Sequence, residues 1–130
     1  MAIQWTKQEL EFIENHKDLI ESKNYAGMFS LSYRDLMDID YIGLKLCILV
    51  SMLSGDKIGV SCIPERGLEW ALIFQFADKS FDSIGSLTNV PKNPSARKEW
   101  VEDYVEEFLS HVFGMDEGLI KQIMELTEVV

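Results

Sequence analysis

The sequence predicts a helix-rich α+β domain with a small antiparallel sheet or hairpin in its middle; an all-α domain is the alternative. Three observations predict it. Ile42 to Leu53 is apolar nearly all round, as a helix at the centre of a core would be. From Ile58 to Ala77 the apolar period drops to two, the strand signature. From Asn93 onward helical spacing returns, opened by an Asn-Pro pair and interrupted by Gly114. At 130 residues, with no repeat and no linker, the chain is read as one compact domain over 1–130.

Each element has a local cause. Thr6 and Glu9 fit a capping box, in which the hydroxyl and carboxylate satisfy each other's backbone donors. Leu10, Ile13, Lys17 and Ile20 then recur at helical spacing, predicting a helix from Lys7 to Ser22. Asn24 caps a short helix through Tyr25, Met28, Phe29 and Leu31. A third helix starts at Asp38 or Asp40 and stops at Gly55.

In the middle, Ile58, Val60 and Cys62 alternate with Lys57, Gly59 and Ser61. Leu68, Trp70, Leu72, Phe74 and Phe76 alternate with Glu69, Ala71, Ile73, Gln75 and Ala77. Pro64-Glu65-Arg66-Gly67 supplies turn chemistry between the two runs, giving a hairpin. Phe81 to Leu87 reads as a third, weaker strand, and a helix over Leu68 to Ala77 is the competing assignment. Asn93 and Pro94 start a helix that runs to about Val112. Asp116 caps a last one, on which Leu119, Ile120, Ile123, Met124 and Thr127 share a face.

Composition excludes several functions. Twelve Lys and Arg face 22 Asp and Glu, a formal net charge of −10. That field repels phosphate backbones and anionic bilayers, so direct nucleic-acid or membrane binding is disfavoured. The most basic stretch, Lys92 to Lys98, holds only three positive residues. No basic segment followed by an apolar one opens the chain, and the longest apolar run, Leu46 to Leu53, is far below the ~20 residues a bilayer span needs. Two cysteines are too few for a secreted disulfide framework. A soluble, cytoplasmic protein is expected.

No catalytic or cofactor motif stands out, and the chain is read as a non-enzyme without cofactor or metal. Glu107 and His111 could form one edge of a metal site, but neither a zincin nor a Glu-x-x-His pattern is present. Cys47 and Cys62, with fourteen residues between them, match no zinc finger or ribbon. Cys47 sits in an apolar run and reads as an inert core residue. Glu65 with Glu69, and Asp78 with Asp82, read as solvated carboxylates rather than an acid–base pair. Trp5, Trp70 and Trp100 read as core or core-edge residues.

The positive signal is acidic. At about 100° per residue, Glu99, Glu102, Asp103, Glu106 and Glu107 fall within one arc of the helix that follows Asn93, with Val101, Tyr104, Val105, Phe108 and Val112 opposite. Like charges recur at i,i+4 in Glu99–Asp103, Glu102–Glu106 and Asp103–Glu107, each costing roughly a few tenths of a kcal/mol. Arg97 and Lys98 oppose the helix dipole near its start. Nothing positive intervenes between Glu99 and His111. An uncompensated stripe of this kind suits a basic protein partner, which its field would steer.

One resemblance bears on the reading. The segments FIENHKDLIESKNYAGMF, YIGLKLCILVSML, CIP and SFDSIG resemble helical modules that precede leucine-rich repeats in bacterial and phage proteins. The resemblance implies a helix-dominated interaction module of bacterial or phage origin, and it carries no catalytic residue onto this chain. In place of the repeats stands the acidic helix.

The expected function is a small acidic binding or inhibitor protein, of the toxin-immunity or phage anti-defence type. It would block a basic surface on a partner such as a nucleic-acid-processing enzyme or toxin. The five acids named above are the expected partner-binding residues. The alternative is a homo-oligomeric assembly subunit that associates through its apolar helices, or through exposed Trp70 or Phe74.

Overall fold

A computed structural model describes residues 7–15, 17–27 and 42–130. Thr6 of the capping box, Trp5, His16, the start of the third helix at Asp38 or Asp40, and Met28, Phe29 and Leu31 lie outside the described residues. The fold is α+β. Helices α1 (Lys7–Asn15) and α2 (Lys17–Glu21) fall in the span expected to be helical. Asn24 caps the turn that follows, its Oδ1 accepting the Gly27 N–H at 2.9 Å. Helix α3 (Ile42–Ser54) leads into β1 (Ile58–Pro64), β2 (Trp70–Gln75) and β3 (Phe81–Leu87). Helices α4 (Pro94–His111) and α5 (Glu117–Leu126) follow, and β4 (Thr127–Val129) comes last.

Alternation places the strands correctly because each pairs across a short turn. β1 and β2 are antiparallel, with Val60 opposite Phe74 and Cys62 opposite Leu72. Gly67 takes a φ of +54° in the turn between them, where a Cβ would be strained. β3 is a full strand antiparallel to β2, with an irregularity where Trp70 and Leu72 meet Leu87 and Ile84. Ser86 lies inside it at a φ of +60°, the left-handed conformation found in a G1-type β-bulge.

The sheet is mixed rather than purely antiparallel. Its order is β3-β2-β1-β4, and β4 runs parallel to β1 with Ile58 opposite Thr127 and Val60 opposite Val129. The apolar stripe of α5 was expected to continue through Thr127. Instead the chain turns extended there; the Thr127 hydroxyl caps the helix end by donating to the Ile123 carbonyl at 2.8 Å. The Val130 N–H then bonds to the Val60 carbonyl at 2.9 Å.

One core joins these elements. Ile58, Val60, Leu72 and Phe74 form the inner face of the sheet and pack in one cluster with buried residues of α3, α4 and α5. Leu44, Leu46, Cys47, Ile48 and Leu49 are each no more than 1% exposed, so α3 is buried on nearly all sides, as its composition requires. Burial pushes the Cys47 thiol well above its ordinary range, leaving it a small apolar side chain. Phe74 is 1% exposed, and therefore offers no surface for self-association. No helix among the described residues is long and apolar enough to cross a membrane.

Candidate functional site

Helix α4 begins where local chemistry dictates. The Asn93 side chain accepts from the Ser95 N–H at 2.9 Å and the Ala96 N–H at 3.1 Å, and Pro94 occupies the first turn, where it has no hydrogen bond to lose. Its rotation is set by two groups of contacts. Val101, Val105, Phe108 and Leu109 are buried. Beside them an aromatic ladder climbs the helix: Trp100 stacks on Tyr104 at 5.3 Å, Tyr104 on Phe108 at 6.4 Å, and Phe108 meets Phe113 edge-on at 5.1 Å. Val112, expected on the buried side, is exposed because the helix ends at His111 and the chain turns away toward Gly114.

Arg97 does not merely oppose the helix dipole. Its guanidinium lies 4.8 Å from the Trp70 ring centre and donates to the carbonyls of Lys92, at 3.1 Å, and Pro91, at 3.5 Å. The positive charge at the helix start thus ties α4 to β2 and to the preceding loop. It also half-covers Trp70, which is therefore no bare docking residue.

With the apolar side fixed inward, the acids face out. Glu99, Asp103, Glu106 and Glu107 are exposed and Glu102 is half-buried. Among the described residues, none of the five forms an ion pair; the pairs found are Lys17 with Glu14 and Lys23 with Asp56. The structure brings all five onto one helix surface, as the spacing implies.

It also joins two of them to residues that the linear pattern did not single out. Glu106 and Glu107, with Ser110 and His111, form one wall of a groove whose other wall is Glu117, Lys121 and Glu125 of α5. Ile120 and Met124 lie between the walls. Leu119 and Ile123 of the same stripe go to the core, whereas Ile120 and Met124 are half-buried at its edge. A signal for this existed: the stripe on α5 is wider than a single core contact needs, and its Ile120–Met124 flank borders Glu117, Lys121 and Glu125 at helical spacing.

The weaker candidates separate. Asp78 is a turn residue: burial alone would raise its pKa, but hydrogen bonds from Ser80 and Ala26 outweigh that and hold it below the usual carboxylate value. Asp82 moves the other way, raised by burial and only partly offset by the Ser83 N–H. Glu65 accepts from the Ser86 N–H at 3.4 Å in the β1–β2 turn region. Cys62 is half-buried, its thiol raised by burial against the opposing charge of Arg97. Among the described residues no group of three or more His, Cys, Asp or Glu is placed to hold a metal ion.

The outer face of the sheet has a different character. Its paired rows, Glu128–Gly59–Gln75–Phe81, Ser61–Ile73–Ser83 and Ile63–Ala71, carry a single charged residue, the exposed Glu128 of β4. Phe81 and Ile63 on it are 64% and 46% exposed. Comparison with protein-family models, with curated proteins and with solved structures finds no match to this chain.

Proposed function

We propose that this protein is a small acidic binding protein that docks onto, and blocks, a basic surface of a partner protein. The observation that carries the reading is the carboxylate face of α4: five acids on one side of one helix, without ion-pair partners among the described residues. Like charges held side by side raise the helix's own energy, and a cationic partner relieves that cost. Such a field accelerates encounter and orients the partner, while nearby apolar contacts slow release. A toxin-immunity or phage anti-defence protein works in this way against enzymes whose Lys and Arg grip nucleic acid. The resemblance to bacterial and phage interaction modules supports the same class.

The test compares the tagged protein with a Glu102→Lys, Asp103→Lys, Glu106→Lys variant, both presented to lysate of the source cell and eluted with rising salt. A basic protein released as salt rises, and missing from the variant, is the expected result. An identical set of retained proteins in both would remove the proposal.

A second reading, self-association as an assembly subunit, is favoured by the outer sheet face, on which Phe81 and Ile63 are exposed and Glu128 is the one charged residue of the paired rows. Sedimentation over a range of concentrations decides it: a mass that rises, and falls back with Phe81→Lys, supports that reading, and a constant monomer mass removes it.

A further inference from the structure

The proposed function names a charge and leaves open what shape of basic partner fits. We infer that the groove between α4 and α5 seats an apolar side chain of a basic amphipathic peptide segment, between Ile120 and Met124. This inference rests on the acidic-interface reading and deepens it.

Three observations on the groove converge. Its walls are anionic on both sides, with Glu106 and Glu107 on α4 and Glu117 and Glu125 on α5, against the single ammonium of Lys121. Its interior is apolar, formed by Ile120 and Met124, which are half-buried at the margin of the core rather than inside it. Its volume, about 600 Å³, exceeds that of a large side chain and accommodates a short stretch of peptide. A purely cationic partner would leave Ile120 and Met124 in water, and a purely apolar one would strip water from four carboxylates without pairing them. A segment with one apolar residue flanked by Lys or Arg a helical turn away satisfies both walls and the floor, the helix-in-groove mode of recognition. The unbranched thioether of Met124 adapts to the shape of the inserted residue.

The distribution of the acids follows from this. Glu106 and Glu107 border the seat, whereas Glu99, Glu102 and Asp103 continue along α4 beyond it. The first two hold the segment against the groove, and the other three extend its attraction toward the helix start.

The experiment uses the full chain and two synthetic peptides of equal length and equal lysine content. One carries leucines on a single helical face; in the other those leucines are serines. Binding is measured by calorimetry. The leucine peptide should bind about tenfold more tightly or better, the effect of burying one large apolar side chain. Met124→Ser and Ile120→Ser, each confirmed as folded by circular dichroism, should bring the two peptides within about twofold of each other. Glu99→Lys should weaken both peptides alike and leave their ratio unchanged.

Equal binding of both peptides to the unmodified protein, weakened by Glu106→Lys, would overturn the groove and leave the acidic interface standing. A leucine preference indifferent to both floor variants would also overturn it, by placing the seat elsewhere. Failure of both peptides to bind would remove the groove and the acidic interface together.

Discussion

The Arg97 guanidinium lies 4.8 Å from the centre of the Trp70 ring, and this contact spans from the first turns of α4 to the first residue of β2. It reinforces the rotation that the buried face and the aromatic ladder of α4 set. With Arg97 held over Trp70 and by the Lys92 carbonyl, the helix cannot roll without losing a cation–π contact and a charged hydrogen bond together. Arg97→Ala should therefore cost about 1 to 2 kcal/mol. Lys98→Ala, one residue on and exposed, should stay within about 0.5 kcal/mol of the unmodified protein. Urea unfolding of the two variants checks the difference; equal midpoints would mean that Arg97 is not an anchor.

Asp103 lies between two like charges, Glu99 and Glu107, each four residues away. Replacing it with Lys turns two repulsive pairs into attractive ones and introduces a better helix former. Asp103→Lys is expected to raise stability by about 0.5 to 1 kcal/mol while weakening partner binding. Thermal unfolding and binding measured on the same preparation test this. A variant that loses stability would show that the acidic face has a structural role.

Lys79 closes the β2–β3 turn at a φ of +72°, a conformation glycine adopts without strain. The turn is otherwise well made: the Phe76 N–H bonds to the Ser80 carbonyl at 2.9 Å, and Asp78 accepts from the Ser80 N–H at 2.9 Å. Lys79→Gly should stabilise the protein by about 0.5 to 1 kcal/mol, and Lys79→Val should destabilise it. Denaturant midpoints in the opposite order would contradict the assignment.

Tyr25 is buried, stacks on Phe76 at 5.2 Å and donates its hydroxyl to Asp56 at 3.1 Å. Burial above all pushes its ionisation up to about 12; the Ser51 hydroxyl opposes it, and the hydrogen bond and charge of Asp56 add to the rise. In the unfolded chain it ionises near 10. A raised acid of this kind favours the folded state fully below the unfolded value. That contribution is lost as pH climbs from about 10 through about 12. The stability difference between the unmodified protein and Tyr25→Phe should be constant at neutral pH and shrink across that alkaline window. A difference independent of pH would place the phenol in water.

Elements with local causes were legible in the sequence. Asn93 and Pro94 start a helix in any context, because cap and ring satisfy needs of the first turn alone. Alternation found β1 and β2, and the turn after β2 pointed to β3, since each meets its neighbour across a short turn. β4 escaped, because it pairs with β1 across most of the chain and its first residue, Thr127, continues the helical stripe of Ile123. Its β-branched residues were the available hint. The acidic arc was legible because helical rotation follows from spacing alone. The second wall of the groove was not, because the spacing on α5 cannot say which flank of its apolar stripe meets α4 and which meets the core.

The outer rows of the sheet, with Glu128 their one charged residue, lie opposite the face on which α4 packs, and the acids of α4 point away from that face. The five carboxylates of α4 therefore lie at the helix end of the line from helix to sheet, against the single carboxylate of Glu128 on the outer rows. A cationic bead or film should adsorb it helix-first and leave the rows from Gly59 to Ser83 turned to solution. An immobilised layer prepared in this way would be uniformly oriented, with Phe81 and Ile63 open to any second binder and the carboxylates hidden beneath.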